Sequence, residues 1–210
     1  MSDPARQFPK GSDCVRELDV SAVEQAVRDL CIEANRHLPP DVRAAVQRAR
    51  DTETHPLARE ILSDLDRNAE TAERLTLPVC QDTGMAVVFA EVGQDVHLTG
   101  GLLADAVNRG VARGYTEGLL RCSVVGDPLR RVNTDDNTPA VLHTALVAGD
   151  RVRLTVAPKG FGSENMSRLK MLTPAANRED IVAFIAETAR QAGSNPCPPM
   201  ILGVGLGGDS

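Results

Sequence analysis

The chain has 210 residues, 42% apolar and 25% charged, enough for a sizeable core of the ordinary globular kind. Its 23 Lys and Arg against 29 Asp and Glu give a net charge of −6, and four Phe and one Tyr are its only aromatics, so it lacks the basic face and stacking platforms of a nucleic-acid binder. No apolar run approaches the roughly 18 residues of a membrane-spanning helix, and Met1-Ser2-Asp3-Pro4 opens no apolar targeting segment, so a cytoplasmic protein is expected, with no membrane and no nucleic-acid partner.

Residues 1–18 are polar and carry Pro4, Pro9 and Gly11, which predicts a loose, flexible arm ahead of one domain over 19–210. A helix follows: Ser21 and Glu24 have capping-box spacing, and Val23, Val27, Leu30, Cys31 and Ala34 share a face until Pro39-Pro40 stops it. Asp41 begins a second helical pattern. Pro56 opens a third, whose stripe is Leu57, Ile61, Leu62, Leu65, Ala69 and Ala72. Pro78-Val79-Cys80-Gln81-Asp82-Thr83-Gly84 is rich in turn formers and leads into Met85 to Ala90, an apolar run of strand length. A helix weakened by Gly110 and Gly114 is predicted from Leu102 to Gly118, then an extended Leu119 to Val125.

Asn133 to Pro139 is rich in Asn, Asp and Thr, which favour side-chain-to-backbone turns; it could brace a site or be a solvated turn. Val141–Val147, Gly149-Asp150 and Arg151–Val156 predict a hairpin, Val152, Leu154 and Val156 alternating with Arg151, Arg153 and Thr155. Lys159 to Asn165 reads as a loop and Glu179 to Gln191 as an amphipathic helix. Asn195-Pro196-Cys197-Pro198-Pro199 then turns into the apolar Met200 to Val204. Together these predict an α/β fold of mixed α+β type, a helical N-terminal half packed on a mixed or antiparallel sheet.

Five cysteines, at 14, 31, 80, 122 and 197, are odd in number and widely spaced, which argues against a disulfide framework and lacks the paired ligands of zinc ribbons. Cys31 lies on a helical stripe and reads as core. Cys80 and Cys197 differ, since each sits in a proline-flanked turn immediately before an expected apolar strand, Met85 to Ala90 and Met200 to Val204 respectively. Such loops can expose a thiolate, although isolated loop cysteines can equally be structural. A cubane iron-sulfur cluster held by three thiolates leaves one iron open to water or substrate. The terminal Gly203-x-Gly205-x-Gly207-Gly208 is no dinucleotide fingerprint, because no helix with a later acidic residue follows it. His37, His55, His97 and His143 have no metal-site context and read as structural or solvated.

The segment Pro78 to Gly84 resembles the signature of class I, iron-sulfur-dependent fumarate hydratases and the related L-tartrate dehydratases, in their alpha subunit or N-terminal domain. Further matches follow in the family's order: Leu120-Arg121-Cys122-Ser123, Asn133 to Ala140, Lys159 to Asn165, Asn195 to Pro199 and Gly203 to Gly208. The likeness spans about residues 20 to 208 and rests on several ordered motifs.

The resemblance implies a hydro-lyase that adds water reversibly across the double bond of a dicarboxylate, fumarate or malate first and tartrate as the alternative. It implies Cys80 and Cys197 as ligands of a 4Fe-4S cluster, Asp82 as catalytic acid, and Gln81, Arg121 and the backbone at Gly162 as substrate contacts. The family's third cysteine ligand lies beyond the Gly-rich segment where this chain stops, and Cys122 is a poor substitute, so a truncated alpha subunit or fragment is expected. A beta subunit or C-terminal domain would bring the catalytic base, in a dimer or heterotetramer, and the chain alone would be inactive. A different class of protein, a metal-free remnant or interaction module with the same fold, is the competing expectation.

Overall fold

The structure is a computed structural model, and residues 15–197 and 199–207 are described. Cys14, most of the expected arm, Pro198 and Gly208 lie outside the described residues. The elements in order are β1 (Arg16–Asp19), α1 (Val20–Arg36), α2 (Pro40–Thr52), α3 (Pro56–Leu75), β2 (Met85–Gly93), β3 (Val96–Thr99), α4 (Leu103–Glu117), β4 (Val141–Val147), β5 (Val152–Lys159), α5 (Phe161–Glu164) and α6 (Arg178–Ala192). The N-terminal half is helical and the sheet is mixed, as the sequence predicts.

Residues 16–18, assigned to the arm on composition, belong instead to β1, which pairs in parallel with β3. Helix α1 is capped two residues earlier than Ser21: Asp19 is the cap, and its carboxylate accepts from the Ser21 N–H at 2.8 Å. Glu24, freed from any capping box, reaches across to α4 and accepts from Arg109 at 2.6 Å and Arg113 at 3.1 Å. Those two guanidinium groups hold its carboxyl below the ordinary carboxylate range.

The core lies between α1, α4 and one face of the sheet. Val23, Val27 and Cys31 of α1 meet Val107, Val111 and Tyr115 of α4, over Ala86 and Val88 of β2. Gly110 and Gly114, which weaken α4 as an isolated helix, explain the close contact: a Cβ at Gly110 would lie 2.6 Å from the Glu24 carbonyl oxygen, and one at Gly114 would lie 2.8 Å from the Cys31 Cβ. Helix α2 is tied to α3 by Asp66, which accepts from Arg43, Gln47 and Arg50 at 3.3, 3.2 and 3.0 Å.

Strand β2 is central in a three-stranded sheet of order β4-β2-β5, parallel to β4 and antiparallel to β5. The predicted hairpin between Val141 and Val156 is therefore not formed. Its two arms straddle β2, and the intervening turn wraps the end of that strand, Asp95 N–H donating to the Gly149 carbonyl at 3.0 Å. A nearly continuous apolar run such as Met85 to Val92 suits a strand paired on both sides, and this demand outweighs the local turn signal of Gly149-Asp150. Ala86, Val88, Ala90 and Val92 face the helices, while Phe89 on the outer face stacks on His143 with ring centroids 5.0 Å apart.

Three other expectations differ. Leu119 to Val125 forms no strand, only an isolated bridge between Val125 and Asn133. Met200 to Val204 is not a strand and leaves Ile201 81% exposed. Lys159 to Asn165 contains the short helix α5. The capping box that sequence reading missed opens α6, where Asn177 and Asp180 exchange hydrogen bonds with each other's backbone at 3.0 Å.

Candidate active site

Register decides which loops meet. Met85, the first residue of β2, lies opposite Lys159, the last of antiparallel β5, while parallel β4 starts at Val141 beside Val87. The turn before β2, the loop after β5 and the loop before β4 therefore gather at one end of the sheet. The segment Leu119–Val125, leaving the C-terminal end of α4, runs through the same place: the Thr83 hydroxyl donates to the Arg121 carbonyl at 3.0 Å.

Cys80 is exposed, and its Sγ receives the Asp82 N–H at 3.4 Å and lies 3.4 Å from the Gln81 Oε1. Asp82 is half-buried; its Oδ1 accepts from the Gly84 N–H at 3.1 Å. Gly84 takes φ +61°, and a Cβ there would strike the Lys159 carbonyl, which is why glycine stands at this tight junction.

Two contacts carry the site onward. A Cβ at Gly160 would lie 3.2 Å from the Asp82 Oδ2, and one at Gly162 would lie 2.8 Å from the Asn195 carbonyl oxygen. Asn195 is two residues from Cys197, an exposed thiol at φ +56° whose N–H donates to the Ser194 carbonyl at 3.1 Å. The turns bearing Cys80 and Cys197 thus both abut the short stretch Gly160–Gly162. Arg121 is exposed at the same end, and no carboxylate pairs with its guanidinium among the described residues.

Cys122 packs against the core. Burial, then the carboxylates of Asp136 and Asp135, pushes its thiol up, so it is a poor thiolate donor. Among the described residues no three Cys, His, Asp or Glu side chains come together as a metal site. Cys80 and Cys197 fit an iron-sulfur cluster in chemical kind, as exposed thiols on neighbouring turns, but not in number.

Of the two roles open to Asn133 to Pro139, bracing is the one its hydrogen bonds support. Asn137 is fully buried, accepts from the Ser123 and Val124 N–H groups at 2.7 and 3.1 Å, and donates to the Gly84 carbonyl at 2.9 Å. Burial alone would raise the neighbouring Asp136, but hydrogen bonds from Thr138 prevail and hold its carboxyl below the usual range. Tyr115, also buried, was missed; being the only tyrosine of the chain, on a helical stripe, was its one signal. Two clefts of about 340 and 260 Å³ lie elsewhere, lined by residues such as Arg16 and Leu154, and Arg36 and Glu73.

Residues 24–210 match the profile of the family described as fumarate hydratase (Fumerase). The chain belongs to the fumarate hydratase family. Its fumarate hydratase family relatives include a protein of Methanocaldococcus jannaschii named "Putative L(+)-tartrate dehydratase subunit alpha", 35% identical over 89% of this chain and 67% of that protein. The anaerobic class I fumarate hydratase of Escherichia coli is 36% identical over 69% of this chain, and an Escherichia coli L(+)-tartrate dehydratase subunit alpha is 28% identical over 93% of it. The matched part spans 27% of the former's length and 65% of the latter's. No helix among the described residues is long and apolar enough to cross a membrane.

Proposed function

We propose that the chain is the alpha subunit, or its equivalent part, of a cytoplasmic hydro-lyase that interconverts fumarate and malate. Family membership supports this, and one structural observation carries it: Asp82, Arg121, Gly162 and the turns of Cys80 and Cys197 gather at one end of the sheet. Arg121 would bind a substrate carboxylate through its planar guanidinium, and Gln81 and the backbone at Gly162 would hold the rest of the dicarboxylate. In dehydration, a base removes the proton beside a carboxylate while the Asp82 carboxyl gives its proton to the departing hydroxyl, so that water and the double bond form together. In hydration, Asp82 takes that proton back from water.

The base comes from a beta subunit or C-terminal domain. The exposed apolar side chains Ile201, Leu202, Val204 and Leu206, which follow the Cys197 turn, support a covering partner surface here. Cys80 and Cys197 would hold a 4Fe-4S cluster, with further coordination from outside the described residues. When bound, the cluster supplies a Lewis acid that polarises the substrate hydroxyl.

Anaerobic reconstitution with iron, sulfide and the beta partner tests this. Loss of fumarate absorbance with malate formation is expected, and iron with acid-labile sulfide in the protein. Protein that stays colourless at every length, with no turnover, marks a metal-free remnant. Dehydration of L-tartrate is a second reading, favoured by the names of the alpha-subunit relatives. Comparing kcat/KM for malate and tartrate decides between them.

A further inference from the structure

Asp82 and Arg121 belong to separate segments, and a small dicarboxylate can engage both only if their separation is held. Arg121 is tied to the Asp82 turn on one side by the Thr83 hydroxyl, 3.0 Å from the Arg121 carbonyl. A single tie is a hinge. The second tie is the Asn137 carboxamide, whose Oδ1 takes two N–H groups from the segment just after Arg121 and whose Nδ2 donates to Gly84, just after Asp82. Two incoming N–H donors and one carbonyl acceptor allow only one orientation of that amide.

Gly84 in turn donates its own N–H to the Asp82 Oδ1 at 3.1 Å, so the residue whose carbonyl Asn137 grips also orients the carboxylate. Asn137 is 0% exposed and sits at φ +62°, a backbone angle that asparagine tolerates better than most residues. Its loop is pinned independently, since Asn133 Nδ2 donates to the Cys122 carbonyl at 2.9 Å and Ala140 N–H donates to the Asn108 Oδ1 at 2.9 Å.

We infer that Asn137 is a positioning residue, fixing the separation and orientation of Asp82 relative to Arg121. The inference rests on the hydro-lyase assignment for its kinetic meaning, because a displacement of about 1 Å in such a pair costs roughly 100-fold in rate.

The test is Asn137→Gly, which keeps the positive φ and removes the carboxamide. Amide hydrogen exchange of the chain should show Ser123 and Val124 losing protection with their acceptor, and the Gly84 N–H, bonded to Asp82, losing protection as the Gly84 carbonyl is released, while Val88 and Val111 stay protected as the control for folding. In the assembled, cluster-loaded enzyme, kcat/KM should fall about 10- to 100-fold with KM raised; a purely structural defect lowers the active fraction and leaves KM unchanged. Should the glycine variant fail to fold, Asn137→Asp at a pH where its carboxyl is ionised keeps both acceptor contacts, and Gly84 alone should lose protection. An unchanged Gly84 amide in either variant, or wild-type KM and kcat with the clamp amides exposed, overturns the inference. A wild-type assembly without turnover sinks the hydro-lyase assignment instead, and the exchange pattern then decides the clamp by itself.

Discussion

The hydroxyl of Tyr115, buried in α4, donates to the backbone carbonyl of Thr83 at 2.9 Å, so the core itself holds the turn that carries Asp82. Tyr115→Phe leaves that carbonyl without its donor and should cost about 1–2 kcal/mol of stability. Urea unfolding of the two proteins measures it; coincident midpoints would mean that the hydroxyl contributes nothing.

Tyr115 also gives the chain a pH signature. Burial first, and then the nearby Cys31 thiol, raises the phenol far above its ordinary value of about 10. From that pH upward the unfolded chain releases the proton and the folded one keeps it, so the contribution of Tyr115 to stability is constant below about 10 and falls as pH rises beyond it. Ultraviolet titration of this sole tyrosine should show no tyrosinate until the protein unfolds.

The cysteines should divide by reactivity. Burial pushes the Cys31 thiol up to about 12, whereas Cys80 and Cys197 are exposed. Iodoacetamide at mildly alkaline pH, read by peptide mass mapping of the metal-free native chain, should modify Cys80 and Cys197 and reach Cys31 only with denaturant. Equal labelling of Cys31 and Cys80 would contradict the packing of α1 on α4.

Gly110→Ala sets helix propensity against packing. Alanine gains about 1 kcal/mol within an isolated helix. Here the added methyl meets the Glu24 carbonyl and the Val27 side chain, so a net loss of about 1–3 kcal/mol is expected. Thermal unfolding gives the sign, and a stabilised variant would refute the close approach.

In the assembled enzyme, Asp82→Asn retains an acceptor for the Gly84 N–H but carries no transferable proton. Its kcat should drop by roughly 100-fold or more. Arg121→Lys loses the bidentate grip and should raise KM about tenfold, the equivalent of one charge-assisted hydrogen bond. Steady-state kinetics on malate separates the two effects.

What the sequence disclosed follows from how local each signal is. Helices α1, α3, α4 and α6 were legible because their apolar residues recur along a single element, and Pro56 marked the start of α3 correctly. Strand pairing was not: Gly149-Asp150 is a genuine turn, yet the competition of β2 for both neighbouring edges is a long-range effect that no local window contains. The site divides likewise. Asp82, Arg121 and the two turn cysteines stand in motifs that can be read in line, whereas Asn137 acquires its importance only when Gly84 and Ser123 arrive on either side of it.

The strand order β4-β2-β5 has a consequence for synthesis. While the ribosome has released nothing past Pro139, Met85 to Gly93 has neither lateral neighbour, and its valine-rich stretch is open to capture by another nascent chain. Shelter at that stage comes from α1 and α4 alone, both already translated. Expression at low temperature or with chaperones that retain extended segments should therefore raise soluble yield, and shortened versions ending before Val141 should precipitate.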